Sequence, residues 1–330
     1  MKSRRVLTLL PGALLLAACS AVPGATPTAE PTAAPTATPT AAPTPSPVAC
    51  GTDNPNLKNP GRLTLSTDIP AFPPWWGGDA AEQYDNEPED GSPWSESDFS
   101  AEPYSMEGFE GATAYAIAEA MGVGPDQVDW IANPVFEQAF APGEKLFDLH
   151  MAQVSIRPER SEAVDFSEPY FDSNQSLLAL SGNEITSASS IDDLKDYLLG
   201  AAVNTTSFQL IEDVIQPNVE PRVFPDNATA LTALSAGGED SIKGLVVDLG
   251  TAFYMRDAEL EDFDTPEPEG KIVGQFGPSV QIDQVGAVLE KDSPLLLCVN
   301  AAIAEIKADG TLAAILDEWI NSGQEIPFLE

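Results

Sequence analysis

Basic residues are scarce in this chain: 15 Lys and Arg stand against 52 Asp and Glu, a formal charge of −37. A field of that sign repels nucleic-acid backbones and anionic membrane surfaces, so neither is an expected partner. Histidine occurs once, at His150, and cysteine three times. No Cys/His spacing suits a metal, so a structural zinc site is excluded and no cofactor is expected. Long apolar runs are missing too. The segment Val6 to Leu16 is broken by Thr8, Pro11 and Gly12, and it falls short of the roughly 20 residues a membrane-spanning helix needs.

What that short run does form is an export leader, residues 1–18. Lys2, Arg4 and Arg5 supply the positive start, and Leu16-Ala17-Ala18-Cys19 resembles a bacterial lipobox, in which Cys19 becomes the lipidated first residue. The expected location is therefore outside the cytoplasm, anchored to the cell membrane through Cys19, and leader removal takes the charge to −37 − 3 = −40. Residues 20–49 are almost wholly Pro, Ala and Thr with Glu30 as the one charge. Such a segment cannot bury enough surface to fold and reads as an extended tether, within a lipid-and-linker region of 19–61. The two remaining cysteines, Cys50 at the end of the tether and Cys298 near the C-terminus, are candidates for one disulfide outside the cytoplasm, two free thiols being the alternative.

From Arg62 onward strand and helix patterns alternate, which predicts α/β architecture with mainly parallel sheets. Leu63 and Leu65 mark a first strand; Phe109, Ala112, Ala116 and Ala120 share a helix face ended by Gly122. Ser190 and Asp193 have capping-box spacing and predict a helix through Leu199. Strands are expected at 201–204, 222–224 and 244–248, and two final helices meet at Gly310. Between Gly77 and Glu107 stand ten acidic residues and no basic one, a solvated loop by composition.

The most informative stretch is Phe147 to Phe171. A strand runs through Ser155-Ile156-Arg157-Pro158-Glu159-Arg160 into a helix start, where unpaired N–H groups and a forked guanidinium suit a carboxylate. On its own Arg160 reads as readily as a surface partner of Glu159, Glu162 or Asp165. Asp148, Val154-Ser155-Ile156, Pro158-Glu159-Arg160, Val164-Asp165-Phe166-Ser167 and Pro169-Tyr170, however, together resemble the signature of the polar-amino-acid, family 3 extracytoplasmic solute-binding proteins, receptors that deliver substrate to ABC importers.

That resemblance implies the type II periplasmic-binding-protein fold, two lobes each built on a doubly wound sheet and joined by two hinge strands. Lobe one would be 62–173 plus 279–330, and lobe two 174–278. It implies that Arg160 clamps the ligand α-carboxylate with Ser155, Thr205 and Thr206, and that Asp248 receives the α-ammonium. Asn204 replaces the usual glycine of the Thr205 turn but tolerates a left-handed backbone. Phe72 or Trp75 would stack on the ligand side chain, or else belong to the core. Asp68 would face the side chain, and Gln153 stands where a pocket serine is usual, which leaves the identity of the amino acid open. The implied partners are an amino-acid ligand and ABC permease subunits, with the receptor itself a monomer. A sensor working through another membrane protein, and a dehydratase-type enzyme with His150 or Glu110 as its acid, are the alternatives.

Overall fold

The computed structural model describes residues 49–68, 73–76, 107–133, 135–238, 241–260, 270–280, 282–320 and 323–329. The leader, Cys19, the tether to residue 48, Phe72 and most of the acidic 77–107 segment lie outside the described residues.

Lobe one is a five-stranded sheet in the order β2-β1-β3-β12-β4, formed by Leu63–Asp68 (β1), Val128–Asn133 (β2), Leu149–His150 (β3), Val164–Phe166 (β4) and Val288–Glu290 (β12). The first three strands run parallel, and β12 runs antiparallel to β3 and β4. In β1 the polar Thr64, Ser66 and Thr67 are as buried as Leu63 and Leu65, because helices cover a parallel strand on both faces. Their hydroxyls are accordingly bonded: Ser66 Oγ lies 3.0 Å from His150 Nδ1, and Thr64 Oγ1 accepts from Asn59 Nδ2. Helices α1 (Phe109–Ala120), α6 (Leu296–Ala308) and α7 (Thr311–Trp319) close a core that holds Trp75, Trp76, Phe109 and Trp130. Cys50 and Cys298 form a disulfide with Cα atoms 5.4 Å apart, tying the start of the described chain to α6.

Lobe two is a six-stranded sheet in the order β13-β10-β6-β9-β7-β8. Its strands are Gln175–Leu180 (β6), Leu199–Ala202 (β7), Arg222–Phe224 (β8), Gly244–Asp248 (β9), Gly270–Phe276 (β10) and Phe328–Leu329 (β13). Strands β8, β7 and β9 run parallel, and β6 returns antiparallel between β9 and β10. Helices α3 (Thr206–Leu210), α4 (Asn227–Ser235) and α5 (Leu249–Tyr254) each start directly beyond a parallel strand. Separate apolar clusters cover the two sheet faces. The lobes are linked by a ribbon of β5 (Phe171–Ser173) paired antiparallel with β11 (Asp283–Val285).

Two expectations are corrected here. Residues 279–330 do not all belong to lobe one: after α7 the chain crosses again, and β13 pairs with β10 at the edge of lobe two. Leu329 sits fully buried in that lobe's core, and a Cβ at Gly274 would meet its side chain at 2.6 Å, so glycine there is what lets the strand seat. The helix expected from Ser190 to Leu199 is a single 3₁₀ turn, Asp192–Leu194. Asp193 does accept from the Ser189 and Ser190 amides, as its capping role requires. Leu199, however, is already the first residue of β7, and the demands of the sheet end the helix after one turn.

Candidate functional site

A cavity of about 440 Å³ lies where the ends of β1, β7 and β9 face one another, and residues of both lobes and of the hinge line it. From lobe one, the turn after β3 leads into a four-residue helix, α2 (Pro158–Ser161), with Pro158 at its first position. That turn points Arg160 across the cleft: Nη1 donates to the Ser155 carbonyl at 3.0 Å, and Nη2 donates to the Asn204 carbonyl of lobe two at 2.7 Å. The guanidinium stacks on Phe140, 4.3 Å from the ring centre, with Phe136 beside it. Burial, and then Arg157, push the Arg160 pKa down to about 10. Among the described residues it makes no ion pair. It is thus a nearly buried cation held by neutral carbonyls, a site for an incoming anion.

Lobe two contributes helix starts. Thr205 caps α3, its Oγ1 accepting from the Phe208 amide at 3.2 Å. Asn204 before it takes a left-handed backbone (φ 59°), the conformation the turn needs in place of glycine. Asp226 caps α4, accepting from the Thr229 amide at 2.6 Å, and Asp248 caps α5, accepting from the Thr251 amide at 2.9 Å. Burial pushes the Asp248 carboxyl up to about 6 against those bonds, and Asp283 adds to the rise. Thr206 lines the cavity, but its hydroxyl is engaged by Asp283 at 2.6 Å.

Asp68, Gln153, Ser155, Arg160, Thr205, Thr206 and Asp248 all line this one cavity. Trp75 does not. It is 1% exposed, packed edge-on against Phe109 and Phe171, and its indole N–H donates to Thr251 of lobe two at 2.9 Å. A Cβ at Gly250 would meet the Trp75 ring at 2.6 Å, so the indole fills the space beside α5 and bridges the lobes; the expected stacking role is corrected to a buried interlobe contact. Phe72, its counterpart in that expectation, falls outside the described residues.

His150 is fully buried on β3, away from the cavity lining, and burial pushes its pKa down to about 3. Glu110, the other acid considered for catalysis, is also fully buried and lies behind the cavity wall. Its carboxylate accepts from the Gln153 amide at 2.8 Å, the Gln153 Nε2, the Trp76 indole at 3.1 Å and the Tyr170 hydroxyl.

Sequence reasoning passed over Asp283, Gln175 and Asp226. Asp283 is the hinge's buried acid, bonded to Arg157 at 2.7 Å, Gln175 at 2.8 Å and Thr206. No local pattern announces it. Asp226 does carry a signal, an Asp before a nine-residue helical run, and that cap would have placed it at the cleft.

Comparison with known proteins places this geometry. Residues 92–322 match the model of the bacterial extracellular solute-binding proteins, family 3. The chain is 31% identical over 179 residues to the L-cystine-binding protein TcyJ of Escherichia coli K12, covering 54% of this chain and 62% of that one. It is 30% identical over 175 residues to the glutamine-binding protein GlnH of Bacillus subtilis, covering 53% and 58%. The match therefore spans less than two thirds of these relatives' length. An ancestral arginine-binding protein solved with arginine superposes with a TM-score of 0.57 at 27% identity, over 79% of this chain and 98% of that one. With the family model matching more than half of its length, the chain belongs to the family 3 bacterial extracellular solute-binding proteins.

Proposed function

We propose that this protein is the lipid-anchored receptor of an ABC importer, and that it binds a polar amino acid between its two lobes. The observation that carries the reading is a pair of opposite charges on one cavity, Arg160 from lobe one and Asp248 from lobe two. An α-carboxylate needs a forked cation, which Arg160 supplies, with Ser155 and the Thr205–Thr206 turn beside it. An α-ammonium needs an anionic acceptor, which Asp248 supplies from the facing wall. A zwitterion bridging the two draws the lobes together, and closure about the β5–β11 ribbon is the signal a permease reads. The relatives are named for cystine, glutamine and arginine, so likeness supports an amino acid without choosing one. The matched family is one of solute-binding proteins, and no catalytic role is assigned to His150 or Glu110.

Anchoring rests on the lipobox-like run ending in Cys19 and on the Pro/Ala/Thr tether behind it. Two measurements test the proposal. A thermal-shift screen against the amino acids should give at least one clear stabilisation, since ligand at 100 times its Kd adds about 2.7 kcal/mol; a flat screen removes the receptor reading. In detergent partition, chain made in a lipoprotein-processing host should enter the detergent phase and Cys19→Ser should not. Recovery of both in the aqueous phase removes the anchor.

A further inference from the structure

The cavity wall that does not carry the α-amino-acid contacts is governed by a residue that never reaches the cavity. Glu110, at the start of α1, accepts four hydrogen bonds, two on each oxygen: Gln153 N–H and Tyr170 O–H on Oε1, Trp76 N–H and Gln153 Nε2 on Oε2. These fill the lone-pair positions a carboxylate has. The backbone N–H of Gln153, its Nε2 and the indole N–H of Trp76 can only donate, and the Tyr170 hydroxyl alone could turn to accept, so this shell favours the carboxylate. Glu110 is therefore the ionised member of its neighbourhood. The same bonds fix Gln153, which holds a left-handed backbone (φ 51°) and lines the cavity. With one Nε2 hydrogen tied to Glu110, the Gln153 amide is fixed in orientation and its carbonyl oxygen is available to accept from a ligand. Asp68, at the end of β1, lines the same cavity with a second acceptor.

We propose that Glu110 is the positioning residue that decides which side chains the cleft accepts. By turning the Gln153 carbonyl, together with Asp68, towards the ligand, it selects amino acids whose side chain ends in an N–H donor and rejects those that end in a carboxylate. The inference rests on the amino-acid reading above and narrows it. Asp68 follows from the same arrangement. Burial, and then the Glu110 charge, push its carboxyl up to about 7, so the two acids share a proton, which Asp68 holds because four donors already surround Glu110. A ligand ending in ammonium or guanidinium takes the place of that proton. Among the described residues, the other charged groups around the cavity are Arg160, Glu137, Asp226, Asp248 and Asp283, and Asp283 is paired with Arg157.

The test is titration calorimetry of the full chain with arginine, glutamine and glutamate. The wild type should bind arginine or glutamine at least about 30-fold more tightly than glutamate, a ratio worth about 2 kcal/mol. Gln153→Gly keeps the left-handed backbone and its N–H bond to Glu110 while removing the carbonyl, and should lower that ratio about tenfold. Arginine affinity in the wild type should rise by up to about tenfold per pH unit below pH 7 and level off above it, as Asp68 gives up its proton. Glu110→Gln removes the charge that holds the proton on Asp68, so the levelling-off should move to lower pH, whereas a purely structural loss would weaken binding without moving it. Glutamate bound as tightly as glutamine by the wild type overturns the proposal. So does a ratio unmoved by Gln153→Gly, and that variant decides the matter even if Glu110→Gln fails to fold. A wild type that binds no amino acid removes the parent reading and this one with it, an outcome distinct from binding with the wrong preference.

Discussion

Lobe two reaches the cleft with the first residues of helices, whereas lobe one holds its cleft residues through a buried side-chain network. Thr205, Asp226 and Asp248 are each the cap of the helix that follows a parallel strand, and each bonds an amide three residues ahead. Their positions depend on local chain geometry alone. Arg160 and Gln153 are placed instead by contacts with partners far away in sequence: Arg160 with Asn204, and Gln153 with Glu110. A wall of caps tolerates change one residue at a time. A networked wall fails in groups, because each of its members leaves another buried polar group unpaired.

The largest effect should come from cutting the charges that face each other across the two walls. Truncating one partner of a buried, ligand-bridged pair leaves a charge uncompensated, typically about 3–5 kcal/mol, or about two to three and a half decades of affinity. Arg160→Ala and Asp248→Ala should each show that loss by calorimetry with the circular dichroism unchanged. An Arg160→Ala variant that binds within about threefold of wild type would place the carboxylate clamp elsewhere. Next in size is a change in stability confined to lobe two. Leu329→Ala empties a fully buried site where the chain's last crossing ends, and buried Leu→Ala changes cost about 2–5 kcal/mol. Hydrogen exchange should rise in β10 and β6 and stay unchanged in β1 and β2. Equal loosening of both lobes would show that the tail holds the molecule together rather than finishing one sheet.

The same contrast explains what could be read from the chain. The alternation of strands and helices, the left-handed Asn204 and the helix start at Thr205 are local, and each stands where its pattern put it. Arg160 and Asp248 came from a resemblance, and the structure brings them to one cavity. Trp75 was misjudged because an aromatic beside a binding loop looks the same whether it stacks on a ligand or on Phe109 and Phe171. Glu110 sits at the start of an ordinary helix, and nothing near it in sequence reveals Trp76, Gln153 and Tyr170 converging on its carboxylate. The last crossing was missed for a similar reason: a two-residue strand carries too little pattern to show which sheet it joins.

Proton uptake should separate the walls by direction. Burial raises Asp68 to about 7 and Asp248 to about 6, with Asp68 and Glu110 holding one proton between them, so in the empty protein the folded state binds more protons than the unfolded chain between about pH 4 and 7. Each carboxyl's contribution is complete below its unfolded pKa and is lost as pH rises through the folded one. His150, pushed down to about 3, works in the opposite sense, its contribution being lost as pH falls from about 6.5. Asp193, Glu290 and Asp309, held low by hydrogen bonds, act in the same sense as His150, but they lie nearer the surface, and the buried carboxyls outweigh them. Denaturant titration of the ligand-free protein should give higher stability at pH 5 than at pH 7.5, by on the order of 1–2 kcal/mol per carboxyl after allowance for solvent access. Asp248→Asn should flatten the lobe-two share of that slope and leave the Asp68–Glu110 share. A slope of opposite sign would mean that these acids are ionised throughout the range.

The smallest effect should separate what a cap does for its helix from what its charge does for a ligand. Asp226 caps α4 through the Thr229 amide and also lines the cavity, half-buried. Asn at an N-cap accepts the same amide bond without the charge, so Asp226→Asn should leave stability within a few tenths of a kcal/mol, whereas Asp226→Ala should cost about 1 kcal/mol. The charge itself faces solvent as well as the cavity, where screening makes an ion pair worth about 0.2–1 kcal/mol. Arginine affinity should therefore fall by no more than about fivefold in either variant, with glutamine affinity nearly unchanged. If Asp226→Asn weakens arginine binding as severely as Asp248→Ala, a cationic group of the ligand lies against α4 and not against β1. The donor-ended side chain would then be read by the wall of caps and not by the networked one.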